Sequence, residues 1–102
     1  MHGRIVSVQV APESLKTVTD IYVESVVSAA EQQEGFKAAL LFTDDDPGKA
    51  VSITIWDTEE DLMRGQESGY YKEQIGKFTE YFVRAPDQAG FEMAFNSYSN
   101  DG

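Results

Sequence analysis

The sequence predicts an α+β fold: a four-stranded antiparallel sheet in the order β-α-β-β-α-β, with its helices on one face. Three observations carry that prediction. Short segments alternate apolar and small polar residues in the manner of strands, and two longer segments repeat apolar residues at three- and four-residue steps. Between the second and third strands, Asp46-Pro47-Gly48 leaves room for a tight turn and nothing longer.

Arg4 to Val10 sets Val6, Val8 and Val10 on one side and Ile5, Ser7 and Gln9 on the other, a half-buried strand. Pro12 then fits the first turn of a helix, where its missing N–H does no harm. From Ser14 to about Gln33, the residues Leu15, Val18, Tyr22, Val26 and Ala29 share one helical face. The β-branched residues lower the intrinsic propensity of this helix, and Gly35 is its stop. Phe36 to Thr43 is the second strand. Ala50 to Trp56 is the third, with Val51, Ile53 and Ile55 facing one way and Ser52, Thr54 and Trp56 the other.

Thr58 is placed as a helix N-cap, and Glu59, Glu60 and Asp61 suit the positive end of the helix dipole. Leu62 and Met63 give this short helix its apolar side, and Gly69 interrupts it. Tyr71, Ile75, Phe78 and Phe82 form a second helical stripe that tolerates Gly76 and is closed by Pro86. Phe91 to Tyr98 reads as the last strand, followed by a Ser-Asn-Asp-Gly tail. The order is ferredoxin-like, in one domain spanning residues 1–102.

Composition narrows the functions open to this fold. Eighteen Asp and Glu against eight Lys and Arg give a net charge of −10, which repels phosphate backbones and anionic membranes. No nucleic-acid or membrane partner is expected. No apolar run is long enough to span a bilayer, and no export signal precedes the first strand, so a cytoplasmic location is expected. The absence of cysteine excludes disulfides, thiolate metal sites and cysteine nucleophiles. Asp44-Asp45-Asp46 lacks the spaced ligands of a calcium loop, and no metal site is expected. Both faces of the predicted sheet are partly apolar while the helices can cover only one. A homodimer follows, because monomers seldom leave so large an apolar patch exposed.

The stretch Gly35 to Leu62, GFKAALLFTDDDPGKAVSITIWDTEEDL, resembles the antibiotic biosynthesis monooxygenase family of dimeric α/β barrels. The matching marks are the Gly-Phe strand start, the acidic turn, the Gly-Lys-Ala re-entry, and the strand that ends in tryptophan before an acidic helix start. The resemblance implies cofactor-independent oxygenation of a small phenolic or quinol-like aromatic molecule, with neither metal nor flavin. It also places Trp56 at the family's tryptophan position. A flat ring there can plug the end of the sheet or form the wall of a small-molecule pocket.

On this resemblance the candidate catalytic residues are Trp56 and Ser52; Tyr22 and Tyr71, on the apolar stripes of the two helical segments, are the candidate substrate-binding residues together with Thr54. In quinone-forming members, the resemblance implies an asparagine shortly before the tryptophan and an arginine well after it. Ser52 and Gly76 stand in those places here, with Lys77 next to the latter. The haem-degrading branch implies an internal histidine, whereas the sole histidine here, His2, is expected at a mobile terminus. A dimeric barrel that binds a small ligand or partner without chemistry is the alternative.

Overall fold

The computed structural model describes residues 1–97. Strands β1 (His2–Gln9), β2 (Phe36–Asp44), β3 (Lys49–Trp56) and β4 (Asp87–Glu92) form one antiparallel sheet in the order β2-β3-β1-β4. Helices cross between β1 and β2 and between β3 and β4, so the predicted ferredoxin-like arrangement is the one observed. β1 is interior: Ile5 faces Ile53 on one side and Ala89 on the other.

A 3-10 turn at Pro12–Ser14 leads into α1 (Leu15–Ile21), which passes through a π-helical turn at Tyr22–Val26 into α2 (Val27–Glu31). Leu15, Val18, Tyr22 and Val26 are buried as their spacing predicts. Past the wide turn the stripe continues in a step of four, which buries Ala30 in place of the predicted Ala29. Helices α3 (Glu59–Glu67) and α4 (Tyr70–Gly76) meet at the Gly69 break. Thr58 caps α3 as predicted: its Oγ1 accepts the Asp61 backbone N–H at 3.0 Å.

Three further expectations are corrected. The second stripe is helical only as far as Gly76. A 3-10 turn at Thr79–Tyr81 follows, and Phe82 is extended and bridged to Val10. The end of β1 captures this segment, since the Val83 N–H donates to the Gln9 carbonyl at 2.8 Å. The last strand is Asp87–Glu92, displaced toward the N-terminus from the predicted Phe91 start; Tyr98 and the tail lie outside the described residues. All six residues of this edge strand are exposed, so it has no apolar alternation to betray it. His2, expected at a mobile terminus, opens β1 and pairs with Trp56 and Glu92.

The register divides the sheet into two faces. Val6, Val8, Val10, Ala39, Leu41 and Ala50 turn toward the helices and join Leu15, Val18, Tyr22, Val26 and Phe78 in the core. The opposite face carries Ile5, Leu40, Phe42, Val51, Ile53, Ile55 and Phe91, and no element of the described chain covers it. Phe42 and Phe91 are 58% and 55% exposed there. Among the described residues no helix is long and apolar enough to cross a membrane.

Gly35, at the α2–β2 joint, has φ +83°, and a Cβ there would fall on the Asp61 side chain. Gly35→Ala is expected to cost about 2 kcal/mol or more, combining left-handed strain with displacement of Asp61. A lowered urea midpoint with unchanged slope is the expected result, and an unchanged midpoint contradicts it.

Candidate active site

Ala50, Ser52 and Thr54 are small, and they occupy the part of β3 that lies beneath the helices. Larger side chains there would fill the layer. Instead a cleft remains, with an interior of about 80 Å³, floored by Val6, Val8, Ser52 and Thr54 and roofed by Tyr22, Tyr70, Tyr71 and Phe78. All five residues singled out from the sequence, Trp56, Ser52, Thr54, Tyr22 and Tyr71, line it.

Trp56 closes one end. Only 1% exposed, it meets the ring of Phe36 edge-on at 5.5 Å and that of Tyr70 at 6.3 Å. Its indole N–H donates to Thr54 Oγ1 at 3.1 Å, so the ring offers the cleft a surface and Thr54 keeps its own proton to donate. Gly65 lets Tyr70 lie close against α3, since a Cβ there would stand 3.1 Å from the Tyr70 ring.

Tyr22 enters from the π-helical turn. Its hydroxyl lies 2.7 Å from Ser52 Oγ, where either group can be the donor, and 3.4 Å from the Leu40 carbonyl. When Tyr22 donates to Ser52, the Ser52 proton is free to point into the cleft. Burial pushes the Tyr22 phenol above its ordinary value, partly offset by the Ser52 hydrogen bond. Tyr71 is raised by burial and partly lowered by Arg4, and Tyr70 is pushed up to about 12, mainly by burial. At neutral pH the three phenols are therefore protonated donors, not bases.

Arg4 is the residue the sequence reading missed. It shares the parity of Val6, Val8 and Val10, which was the available signal, and it is buried to 3% exposure. Its Nη2 donates to the Leu62 carbonyl at 3.1 Å, and the guanidinium carbon lies 4.2 Å from the centre of the Tyr71 ring. Its Nε is sealed without an acceptor among the described residues. Burial lowers its pKa from the ordinary value, opposed by the neighbouring tyrosines.

Other polar groups are occupied elsewhere. Lys77 Nζ is held by Ser25 Oγ at 2.7 Å and Gln74 Oε1 at 2.8 Å, and nothing stands within 4 Å of the place where a Gly76 side chain would begin. Asp61 is bonded to Arg64 at 2.7 Å, which holds its carboxyl below the usual carboxylate range. Among the described residues no group of three or more His, Cys, Asp or Glu is arranged to hold a metal ion.

The sequence matches the family described as antibiotic biosynthesis monooxygenase over residues 1–77. The chain belongs to the antibiotic biosynthesis monooxygenase family. The matched span carries every cleft residue named above except Phe78.

Solved structures share the fold. A monooxygenase from the gene ActVA-Orf6 of Streptomyces coelicolor, in complex with nanaomycin D, is 12% identical with a TM-score of 0.77, covering 97% of this chain and 92% of that one. SnoaB, a cofactor-independent oxygenase from Streptomyces nogalater, is 14% identical with a TM-score of 0.72, covering 94% and 95%. A conserved protein from Methanosarcina mazei is 18% identical with a TM-score of 0.71, covering 89% and 91%. No curated protein matches the sequence.

The raised tyrosine pKa values fix the sign of a pH dependence. The folded state favours the neutral phenols, so their contribution is complete below the unfolded value of 10.0 and is lost as pH rises toward about 12. Denaturant midpoints are expected to fall across that window and to fall less in Tyr70→Phe. An equal decline in the variant contradicts the assignment.

Proposed function

We propose that the protein is a monooxygenase that oxidises a small electron-rich phenol or quinol with molecular oxygen, using neither metal nor flavin. The observation that carries this reading is the hydrogen-bonded Tyr22–Ser52 pair in a mostly apolar cleft closed at one end by Trp56. A phenolate can pass one electron to triplet oxygen, so the substrate does the work that a redox cofactor does elsewhere. One oxygen atom then enters the ring and the other leaves as water, taking a phenol to a quinone. The protein's tasks are to hold the ring, exclude water and stabilise the anion.

Trp56 acts through its face, because Thr54 takes its N–H. Ser52, receiving a hydrogen bond from Tyr22, donates to the substrate oxygen; Thr54 and Tyr71 complete the binding surface. An interior of about 80 Å³ is smaller than the roughly 150 Å³ of a cavity that encloses benzene, so even a single ring fills it and reaches into its mouth, and a polycyclic one exceeds it further. A second copy covers the open Ile/Val/Phe face, making a cytoplasmic homodimer whose active sites lie on the opposite, helical side of each sheet.

Ser52 and Gly76 favour a second reading, a barrel that binds a small aromatic molecule and leaves it unchanged. The open space around Gly76 supplies no side chain where quinone-forming members are expected to carry an arginine.

Oxygen uptake with a panel of phenols and hydroquinones separates the two readings. The monooxygenase reading predicts turnover with quinone formation, reduced about 10²–10³-fold by Trp56→Phe combined with Ser52→Ala. Binding without uptake by any member of the panel contradicts it and leaves the ligand-binding reading.

A further inference from the structure

A buried arginine ordinarily has a carboxylate. Arg4 does not. Among the described residues no Asp or Glu lies within ion-pair distance of it, and the bond from Nη2 to the Leu62 carbonyl is its only hydrogen bond. Every element around it can be named. α4 supplies the phenols of Tyr71 and Tyr70, α3 supplies the Leu62 carbonyl, β3 supplies Thr54 opposite in register, and β4 supplies Gly90, which has no side chain. Asp61, the buried carboxylate next to Leu62, accepts from Arg64 Nη1 at 2.7 Å.

The aromatic face of Tyr71 relieves part of the desolvation of this charge, but its N–H donors remain largely unspent. A cation held so is costly to the free protein, and it lines the cleft, from which an anion can reach it.

We propose that Arg4 is the anion-binding residue of the cleft and that the substrate is held there as a single-ring phenolate. The proposal rests on the reading of this cleft as the substrate site. The phenol gives up its proton to water, and the resulting O⁻ takes the place of the missing carboxylate near the guanidinium. Ser52 and Thr54 lie on the same floor as hydroxyl donors. Arg4, from the first strand, thereby supplies the positive charge that Gly76 does not supply from α4. Oxygen accepts an electron from a phenolate far more readily than from a phenol, so the same contact that selects the ligand also selects its reactive form.

The test is a spectrophotometric titration of para-nitrophenol, which is coloured only as the phenolate, free and bound to the full chain, with nitrobenzene as the uncharged isostere. In the wild type the bound probe is expected to ionise about one pH unit or more below the free probe, a preference for the anion of about tenfold or greater. Arg4→Met is expected to abolish that shift and Arg4→Lys to keep part of it; a purely packing role for Arg4 would leave the probe's ionisation unmoved. The Lys variant and the wild-type titration both stand if the Met variant does not fold. A bound probe that titrates at or above its free value, or a shift that survives in Arg4→Met, overturns the proposal. Should nitrobenzene bind while the phenolate does not, Arg4 loses its role and the cleft keeps its function as a ligand site. If neither probe binds, the cleft reading falls together with the proposal.

Discussion

A four-stranded sheet has two faces, and this chain has helices for one. Everything else in the molecule follows from how the strands divide their side chains between the two. β1 gives its valines to the helices and Ile5 to the other side, whereas β3 gives the helices Ala50, Ser52 and Thr54 before its final Trp56 and turns Val51, Ile53 and Ile55 away. The covered face is therefore under-filled where β3 crosses it, and the open face is apolar without a cover. The first circumstance makes a cleft, and the second leaves an apolar surface for the proposed second copy of the chain.

The cleft is held by aromatic side chains from separate elements. The π-helical turn brings Tyr22 to Ser52 from above, and the Gly69 break lets α4 start again with Tyr70 and Tyr71 over the same space. Trp56 is fixed by rings on both sides and by Thr54, so its position depends little on any one contact. Against this rigid, mostly neutral lining stands one charge, Arg4. Its burial without a counter-ion among the described residues is the kind of local cost that folds retain where a ligand is to be met.

The fold was legible because period-two and three-to-four-residue patterns survive wherever one side of an element is buried. That holds for β1, β3, α1 and the capped start of α3. β4 was misplaced because an edge strand exposed on both sides carries no such pattern, and the apolar residues after it drew the eye. Phe82 was read as helical because its spacing from Phe78 fits a helix; it is extended where it bridges Val10 and the next residue, Val83, donates to the Gln9 carbonyl, partners distant in sequence. The tryptophan, serine and threonine of the cleft could be picked out from the strand parity and the family resemblance together, and Tyr22 and Tyr71 from the helical stripes. Arg4 could not be chosen the same way, although its parity marks it as inward-facing. A charged residue at an inward position reads as a strand end until the missing carboxylate is seen in three dimensions.

The account turns on the bare face. If the Ile5, Phe42, Val51, Ile53, Ile55 and Phe91 surface is an interface between two chains, the sheet is covered on both sides and the cleft side is left free for substrate. Sedimentation equilibrium at micromolar concentration measures this directly. The account predicts a single species of twice the 11.4 kDa chain mass, dissociated by Ile53→Lys. A wild-type species of one chain mass, with that surface in water, would contradict it.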